Sequence, residues 1–228
     1  MIVKDLKFFL QNVHKNNFII NTILEVNHNF NIIFIQELSW TIIRSIPCSE
    51  NCEGVPLVEV PNHPNWLTFA RESDLVNDFP RVVIYVNIRL SSLYFSLQKD
   101  IINHKNILLV SFFNNNKNFW IMNIYSDSSH SALKYLKDSE TNIQNLIIMT
   151  GNFNIWDSIW DPSFPHHTSI SDDLIIIANS FNLELSVPTN PVPTRYSDNV
   201  SKLNLVIDLM FLQSGLNELN NHSIYPNW

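Results

Sequence analysis

The stretch Leu146-Ile147-Ile148-Met149-Thr150-Gly151-Asn152-Phe153-Asn154 decides the fold. Its first five residues carry no charge and read as a strand inside a sheet. The polar residues that follow then fall at the sheet's rim, where sites are built. The same grammar recurs upstream. Ile32-Ile33-Phe34-Ile35 is a four-residue apolar run that ends in Gln36-Glu37, and Phe119 to Tyr125 ends in Ser126-Asp127. Downstream, the run Leu205 to Leu212 carries one charge, Asp208. Charged residues make up only 15% of the chain, so their return at strand ends is informative.

Further strands are expected at Trp66 to Ala70, Arg81 to Ile88 and Ile107 to Phe113, with Asn114 to Asn118 as a polar hairpin loop. Helices are expected over three segments. Lys15 to Val26 places Phe18, Ile19, Thr22, Ile23 and Val26 on one face; Ser129 to Asn145 has Ser129 as its cap; Asp172 to Phe181 has a core face of Leu174, Ile175, Ile177 and Ala178. Ser45 to Pro64 and Pro188 to Arg195 read as loops. Strands outnumber helices, and the helices fall between them. This predicts a layered α/β domain with two packed sheets and helices outside.

With 228 residues, 45% of them apolar, the chain can bury a core and is not read as disordered. The net charge of −7 shows no strongly basic surface. Only 3 glycines are present against 32 asparagines, which take over turn positions. Cys48 and Cys52 lack the further ligands of a zinc site and read as free thiols in a reduced compartment. No segment has the ~18 apolar residues of a membrane span, and the N-terminus lacks a cleavage site. The expectation is an intracellular protein, nuclear or cytoplasmic, not secreted and without a membrane partner.

Asn12-Val13, Ile35-Gln36-Glu37, Asn123-Ile124-Tyr125-Ser126, Gly151-Asn152-Phe153-Asn154 and Val206-Ile207-Asp208-Leu209 come in an order that resembles the endonuclease/exonuclease/phosphatase superfamily. The resemblance is nearest to the apurinic-type endonuclease domain of non-LTR (LINE-like) retrotransposons, especially fungal ones. Gly151 to Pro162 resembles their GDFN…WD signature, and Pro193 to Ser197 and Val206 to Leu212 resemble later segments. It runs from Asn12 to Trp228.

The resemblance implies an α/β fold, a four-layer α/β/β/α sandwich of two mixed sheets flanked by helices, in a single domain over 1–228. It implies a Mg²⁺-dependent DNA phosphodiesterase, with Mn²⁺ as an alternative ion and no small-molecule cofactor. Glu37 is then the main metal ligand with Asn12 close by, a hard oxygen set suited to Mg²⁺. Tyr125 hydrogen-bonds the scissile phosphate. Asn154 orients the attacking water or the phosphate, and Asp208 holds a histidine. DNA is the implied partner.

Three departures stand against this pattern. Asn152 occupies the place of the family Asp, the base for the attacking water, and an amide cannot take that proton. The family's Ser-Asp-His segment is missing after the Asp208 strand, so the last strand is expected to be absent; His222 reads as a surface loop residue. At the N-terminus, Leu10-Gln11 stands where relatives have a short strand with Trp. The stretch before it, polar at Lys4, Asp5 and Lys7, reads as a poor substitute.

Other residues carry weaker expectations. His166, His167 and Asp161 read as a DNA-facing loop or plain surface rather than a second metal site. Trp66 reads as core, Arg195 as a phosphate contact, and Arg71, Arg81, Arg89 and Lys99 as scattered cations. The chain is thus expected to be a degenerate endonuclease domain, impaired in catalysis. Its rivals are a DNA-binding relic and an active phosphodiesterase that uses His222.

Overall fold

The computed structural model describes residues 6–46, 55–71, 79–139, 143–186 and 206–214. Twelve strands and three α-helices are present in them. Strands β1 (Phe8–Asn12), β2 (Ile32–Gln36), β5 (Trp66–Ala70) and β6 (Val82–Asn87) form one sheet in the order β1-β2-β6-β5. Strands β7 (Ser96–Leu97), β8 (Ile107–Asn114), β9 (Lys117–Tyr125), β10 (Leu146–Asn152), β11 (Leu183–Leu185) and β12 (Asp208–Gln213) form the second, in the order β11-β12-β10-β9-β8-β7. Both sheets are mixed: β1 runs parallel to β2 and β9 parallel to β10, while the remaining pairs are antiparallel.

Side-chain alternation builds the layers. Phe34, Ile84 and Val86 of the first sheet meet Leu108, Val110, Ile121 and Leu212 of the second. On its other face the first sheet turns Ile33, Ile35, Val83 and Tyr85 toward α1 (Asn17–Val26). The second sheet packs Met122, Ile124, Met149 and Phe211 against α2 (Ser131–Asp138) and α3 (Ser169–Ser180). The result is the expected helix/sheet/sheet/helix sandwich. One polar cross-link pins the sheets: Gln36 Nε2 donates to Asn123 Oδ1 at 2.6 Å, and Asn123 Nδ2 donates to the carbonyls of Ile35 and Val83. Both side chains are fully buried, so this bond sets which residues of the two sheets face each other.

Several local readings change. The N-terminal strand is present as β1, parallel to β2, with Phe8 and Leu10 packed between the sheets and Phe9 on the α1 side. Only Phe8–Asn12 enters the strand, and Lys7 stays outside it. Helix α1 buries Ile20, Ile23 and Leu24, whereas Phe18 and Val26 are 77% and 65% exposed. The Asn16 side chain accepts from the amides of Phe18 and Ile19, which fixes the helix start and turns the alternative stripe outward. Ser129 does not cap α2. The Asp127 carboxylate, a stronger acceptor, takes the amides of Ser129 and Ser131 instead. Part of the expected Ser45 to Pro64 loop is a two-stranded antiparallel ribbon, β3 (Thr41–Ile46) with β4 (Val55–Glu59). The β8–β9 hairpin closes on two residues, Asn115 and Asn116, at φ 49° and 61°; asparagine supplies the left-handed pair that such a turn needs.

Candidate active site

The chain's register gathers the strand-end residues at one edge of the sandwich. In the first sheet, Asn12 pairs with Gln36, so Glu37 follows directly beside the end of β1. Val82 is the other partner of Gln36, which sets Arg81 beside Glu37. In the second sheet, Asn152 pairs with Tyr125 on one side and with Asp208 on the other, one row across three strands. Sequence spacing could place each residue at a strand end; the register makes them neighbours.

Glu37 anchors the first half. Its backbone is left-handed, φ 51°, and its carbonyl accepts from the Lys15 amide at 2.7 Å. A non-glycine residue held there stores strain, as residues at functional sites often do. Asn12 Nδ2 donates to Glu37 Oε1 at 3.1 Å, while Asn12 Oδ1 accepts from the His14 amide at 3.0 Å. His14 Nδ1 lies 3.6 Å from Glu37 Oε2. Burial pushes the Glu37 carboxyl up. Hydrogen bonds from His14 and Asn12, with the charges of His14 and Arg81, outweigh burial and hold it at about 2. Glu37 is therefore an ionised, oriented oxygen donor.

Tyr125 joins the two sheets at the site. Arg81 Nη1 donates to Tyr125 Oη at 3.1 Å, and the guanidinium carbon lies 5.1 Å from the ring centroid. The Glu37 charge is close enough to act on the phenol. Burial and the Glu37 charge push its pKa up against the opposing pull of Arg81. Arg81, read from the sequence as one scattered cation among several, is thus a member of the site. Its position after Pro80 at the start of β6 was visible, but not its pairing with Tyr125.

The second half is a hydrogen-bonded amide cluster. Asn152 Nδ2 donates to Asp208 Oδ1 at 2.8 Å. Asn154, left-handed at φ 50°, donates through Nδ2 to the Ser126 carbonyl at 2.7 Å. Ser126 is buried, and its hydroxyl lies 2.9 Å from His130 Nδ1.

Other sequence candidates resolve into structural roles. Trp66 is core, its indole donating to the Leu24 carbonyl at 3.0 Å. Asp161 is buried and accepts from the Ser163 and Val206 amides. His167 is exposed but paired with Asp157 at 2.8 Å, and His166 is an exposed ring edge-on to Phe164. Among the described residues no group of three His, Cys, Asp or Glu could hold a metal by itself. Cys48, Cys52, Arg195, His222 and the expected absence of a last strand lie outside the described residues.

No protein-family model matches the chain, and no curated protein matches it either. Solved structures do. The endonuclease domain of TRAS1, a telomere-specific non-LTR retrotransposon, is similar with a TM-score of 0.57 at 15% identity, over 92% of this chain and 85% of that one. The fold is that of the endonuclease/exonuclease/phosphatase proteins. An endonuclease/exonuclease/phosphatase family protein from Leptotrichia buccalis is similar with a TM-score of 0.54 at 12% identity, over 94% and 88% of the two chains. A beta toxin of Staphylococcus aureus is similar with a TM-score of 0.51 at 12% identity, over 92% and 86%.

Proposed function

We propose that this chain is a retrotransposon-derived relative, of fungal type, of the Mg²⁺-dependent DNA phosphodiester hydrolases, impaired in the hydrolytic step. The observation that carries the reading is the hydrogen bond from Arg81 to Tyr125 between the two sheets, with the ionised Glu37 carboxylate acting on the same phenol. It puts a cation, a phenol and an ionised carboxylate at one point, a set that fits a phosphodiester and its metal. A single carboxylate is enough for Mg²⁺, which keeps several waters and takes substrate phosphate as a further ligand. Glu37 would hold the ion, and Asn12, with its oxygen committed to the His14 amide, would hold Glu37. Bound there, a divalent ion supplies charge stabilisation to the phosphoryl group.

The chain's own residues divide the remaining work. Arg81 and the Tyr125 hydroxyl grip a phosphate oxygen. Asn154, fixed by its bond to the Ser126 carbonyl, keeps its amide oxygen for a water or phosphate contact. Asn152 stands where a base for the water is needed, and as an amide it accepts no proton. Asp208, facing Asn152 in the ladder, keeps that amide in place. Work on DNA implies an intracellular location, nuclear or cytoplasmic.

The test is nicking of supercoiled plasmid in Mg²⁺. Little or no nicking is expected from the wild-type chain, and clear nicking from Asn152→Asp. Wild-type nicking that vanishes in Glu37→Ala would overturn the impairment. A second reading, a domain that grips nucleic acid without cutting it, is favoured by Lys15, Arg81 and Lys105, three cations that line one cleft at the site in a chain of net charge −7.

A further inference from the structure

Ser126 follows Tyr125 at the end of β9 and is fully buried. Each of its three polar groups is committed. Its amide donates to the Asn152 carbonyl at 2.8 Å, its carbonyl accepts from Asn154 Nδ2 at 2.7 Å, and its hydroxyl lies 2.9 Å from His130 Nδ1. A buried hydroxyl proton needs an acceptor, and His130 Nδ1 is the one partner of this hydroxyl among the described residues. Nδ1 is therefore the acceptor, and the ring is neutral with its proton on Nε2. The local fold delivers His130 to that point. It stands at the N-cap of α2 but makes no cap bond; a left-handed backbone, φ 53°, carries its ring back to Ser126 instead. The Asp127 carboxylate fixes this turn on both sides of His130, taking the amides and hydroxyls of Ser129 and Ser131.

We propose that His130 is a positioning residue for Asn154: the neutral imidazole holds Ser126, the Ser126 carbonyl holds the Asn154 side chain, and protonation of the ring releases that hold. A protonated Nδ1 becomes a donor. The Ser126 hydroxyl must then turn to accept, and its own proton is left without an acceptor inside the fold. Movement of Ser126 relieves that mismatch and takes with it the carbonyl that fixes Asn154. Burial holds the ring's pKa below the ordinary imidazole value; the Asp127 charge opposes this and the Lys134 charge adds to it. The strand and loop packed against Ser126 bring two neutral amides, Asn152 and Asn154, with Asp208 behind Asn152. Glu37, held at about 2, stays ionised in mild acid and adds nothing to this pH dependence. The inference rests on the proposed function only for what Asn154 does, the contact to a water or phosphate. It goes further in making that contact depend on pH through a residue that no strand end supplies.

The experiment is a pH titration of the full chain by NMR, in EDTA and without DNA. It reads the Asn154 side-chain amide, assigned by its loss in Asn154→Ala, and the His130 ring, assigned by its loss in His130→Asn. No metal, substrate or turnover enters, so a chain that cannot cut can still pass and a chain that cuts can still fail. In wild type the Asn154 amide resonance is expected to shift with pH at the same midpoint as the His130 ring. His130→Asn keeps an acceptor for the Ser126 hydroxyl and cannot titrate, so it should hold the Asn154 resonance near its high-pH position and abolish the shift. His130→Ala should displace the resonance at every pH. Should His130→Ala not fold, wild type and His130→Asn carry the test. Any of four results overturns the proposal: an Asn154 resonance that stays flat while the ring titrates, a ring that remains neutral down to acid unfolding, His130→Asn with the wild-type inflection, or His130→Ala with the wild-type resonance.

Discussion

Asn152 Nδ2 donates to Asp208 Oδ1 at 2.8 Å, across a pair of strands in which the two residues face each other. Both are buried, and Asn152 Oδ1 has no hydrogen-bond partner among the described residues. The amide lets Asp208 stay buried next to a donor. Asn152→Asp would replace that donor with a second carboxylate at the same distance. Two such groups cannot both ionise cheaply, so the pair retains a proton at a pH where either alone would have lost it. A raised folded-state pKa stabilises below the ordinary value of about 4 and loses that contribution as pH rises through the pair's own value. The variant should therefore be about 1–3 kcal/mol less stable than wild type at neutral pH, with the gap closing on acidification. Thermal melts at a series of pH values check this. Plasmid nicking should rise by about 10²-fold or more, the usual worth of a positioned base.

Arg81 supplies the second prediction. It bonds Tyr125 through one guanidinium nitrogen and lines the cleft with Lys15 and Lys105, and its planar fork has the geometry to hold a phosphate as well. Arg81→Ala should weaken binding of a DNA oligonucleotide by about tenfold to a hundredfold, the range for a hydrogen bond to a charged group. Arg81→Lys should recover only part of it, because an ammonium cannot bond the phenol and a phosphate oxygen in one fixed plane. Affinities from anisotropy in EDTA give the ranking. Equal affinities for wild type and Arg81→Ala would remove Arg81 from the site.

The Asp157 carboxylate ties the segment after Asn154 to the start of α3. It accepts from the Ile159 and Thr168 amides at 2.9 Å, from the Ser171 hydroxyl, and from His167 at 2.8 Å; His167 also reaches Asp172 at 3.0 Å. Burial pushes Asp157 up, but the bonds from Ser171, Ile159, Thr168 and His167 hold it at about 2. Its contribution is complete above the unfolded value of about 4 and is lost as pH falls toward 2. His167 shifts the other way, raised chiefly by its bond to Asp157. Its contribution is complete below the unfolded value of about 6.5 and is lost as pH rises through the higher folded value. The clamp should therefore be strongest between about pH 4 and 6.5. Melts of wild type and His167→Gln should diverge most in that window and converge at alkaline pH. Asp157→Asn should cost about 1–3 kcal/mol at neutral pH.

Glu37, Tyr125 and Asn152 were legible because each ends or follows an apolar run. Asp208 was legible as the one charge inside its run, which the structure splits so that the strand begins there. Glu37 follows Ile32 to Gln36, Tyr125 ends β9, Asn152 ends β10 and Asp208 opens β12. Arg81 was not legible. It is a lone cation after Pro80, and its meaning comes from the register that sets Val82 against Gln36, forty-odd residues away in the chain. Strand β1 was hidden because polar residues precede it and only five residues enter the sheet. The face of α1 was misread because two apolar stripes compete on that helix, and the Asn16 cap and the sheet decide between them. The Trp40–Phe79 stack joins residues from different segments, and no spacing rule brings them together.

Gly151 explains why the residue before Asn152 has no side chain. It pairs with Ile124 in the parallel β9–β10 ladder, and a Cβ on it would overlap the Ile124 carbonyl oxygen and carbon. The obstacle is backbone, which no rotamer change can move aside, so β10 would have to separate from β9 beside both Asn152 and Tyr125. Gly151→Ala is expected to cost about 3 kcal/mol or more, the upper end for overpacking. The neighbouring Thr150→Ala provides the comparison. Thr150 is equally buried, and its hydroxyl donates to the Leu209 carbonyl at 2.9 Å, so its loss should cost about 1 kcal/mol. Urea denaturation of the two variants gives the order directly. A Gly151→Ala chain as stable as Thr150→Ala would mean that the ladder is looser here than the register shows.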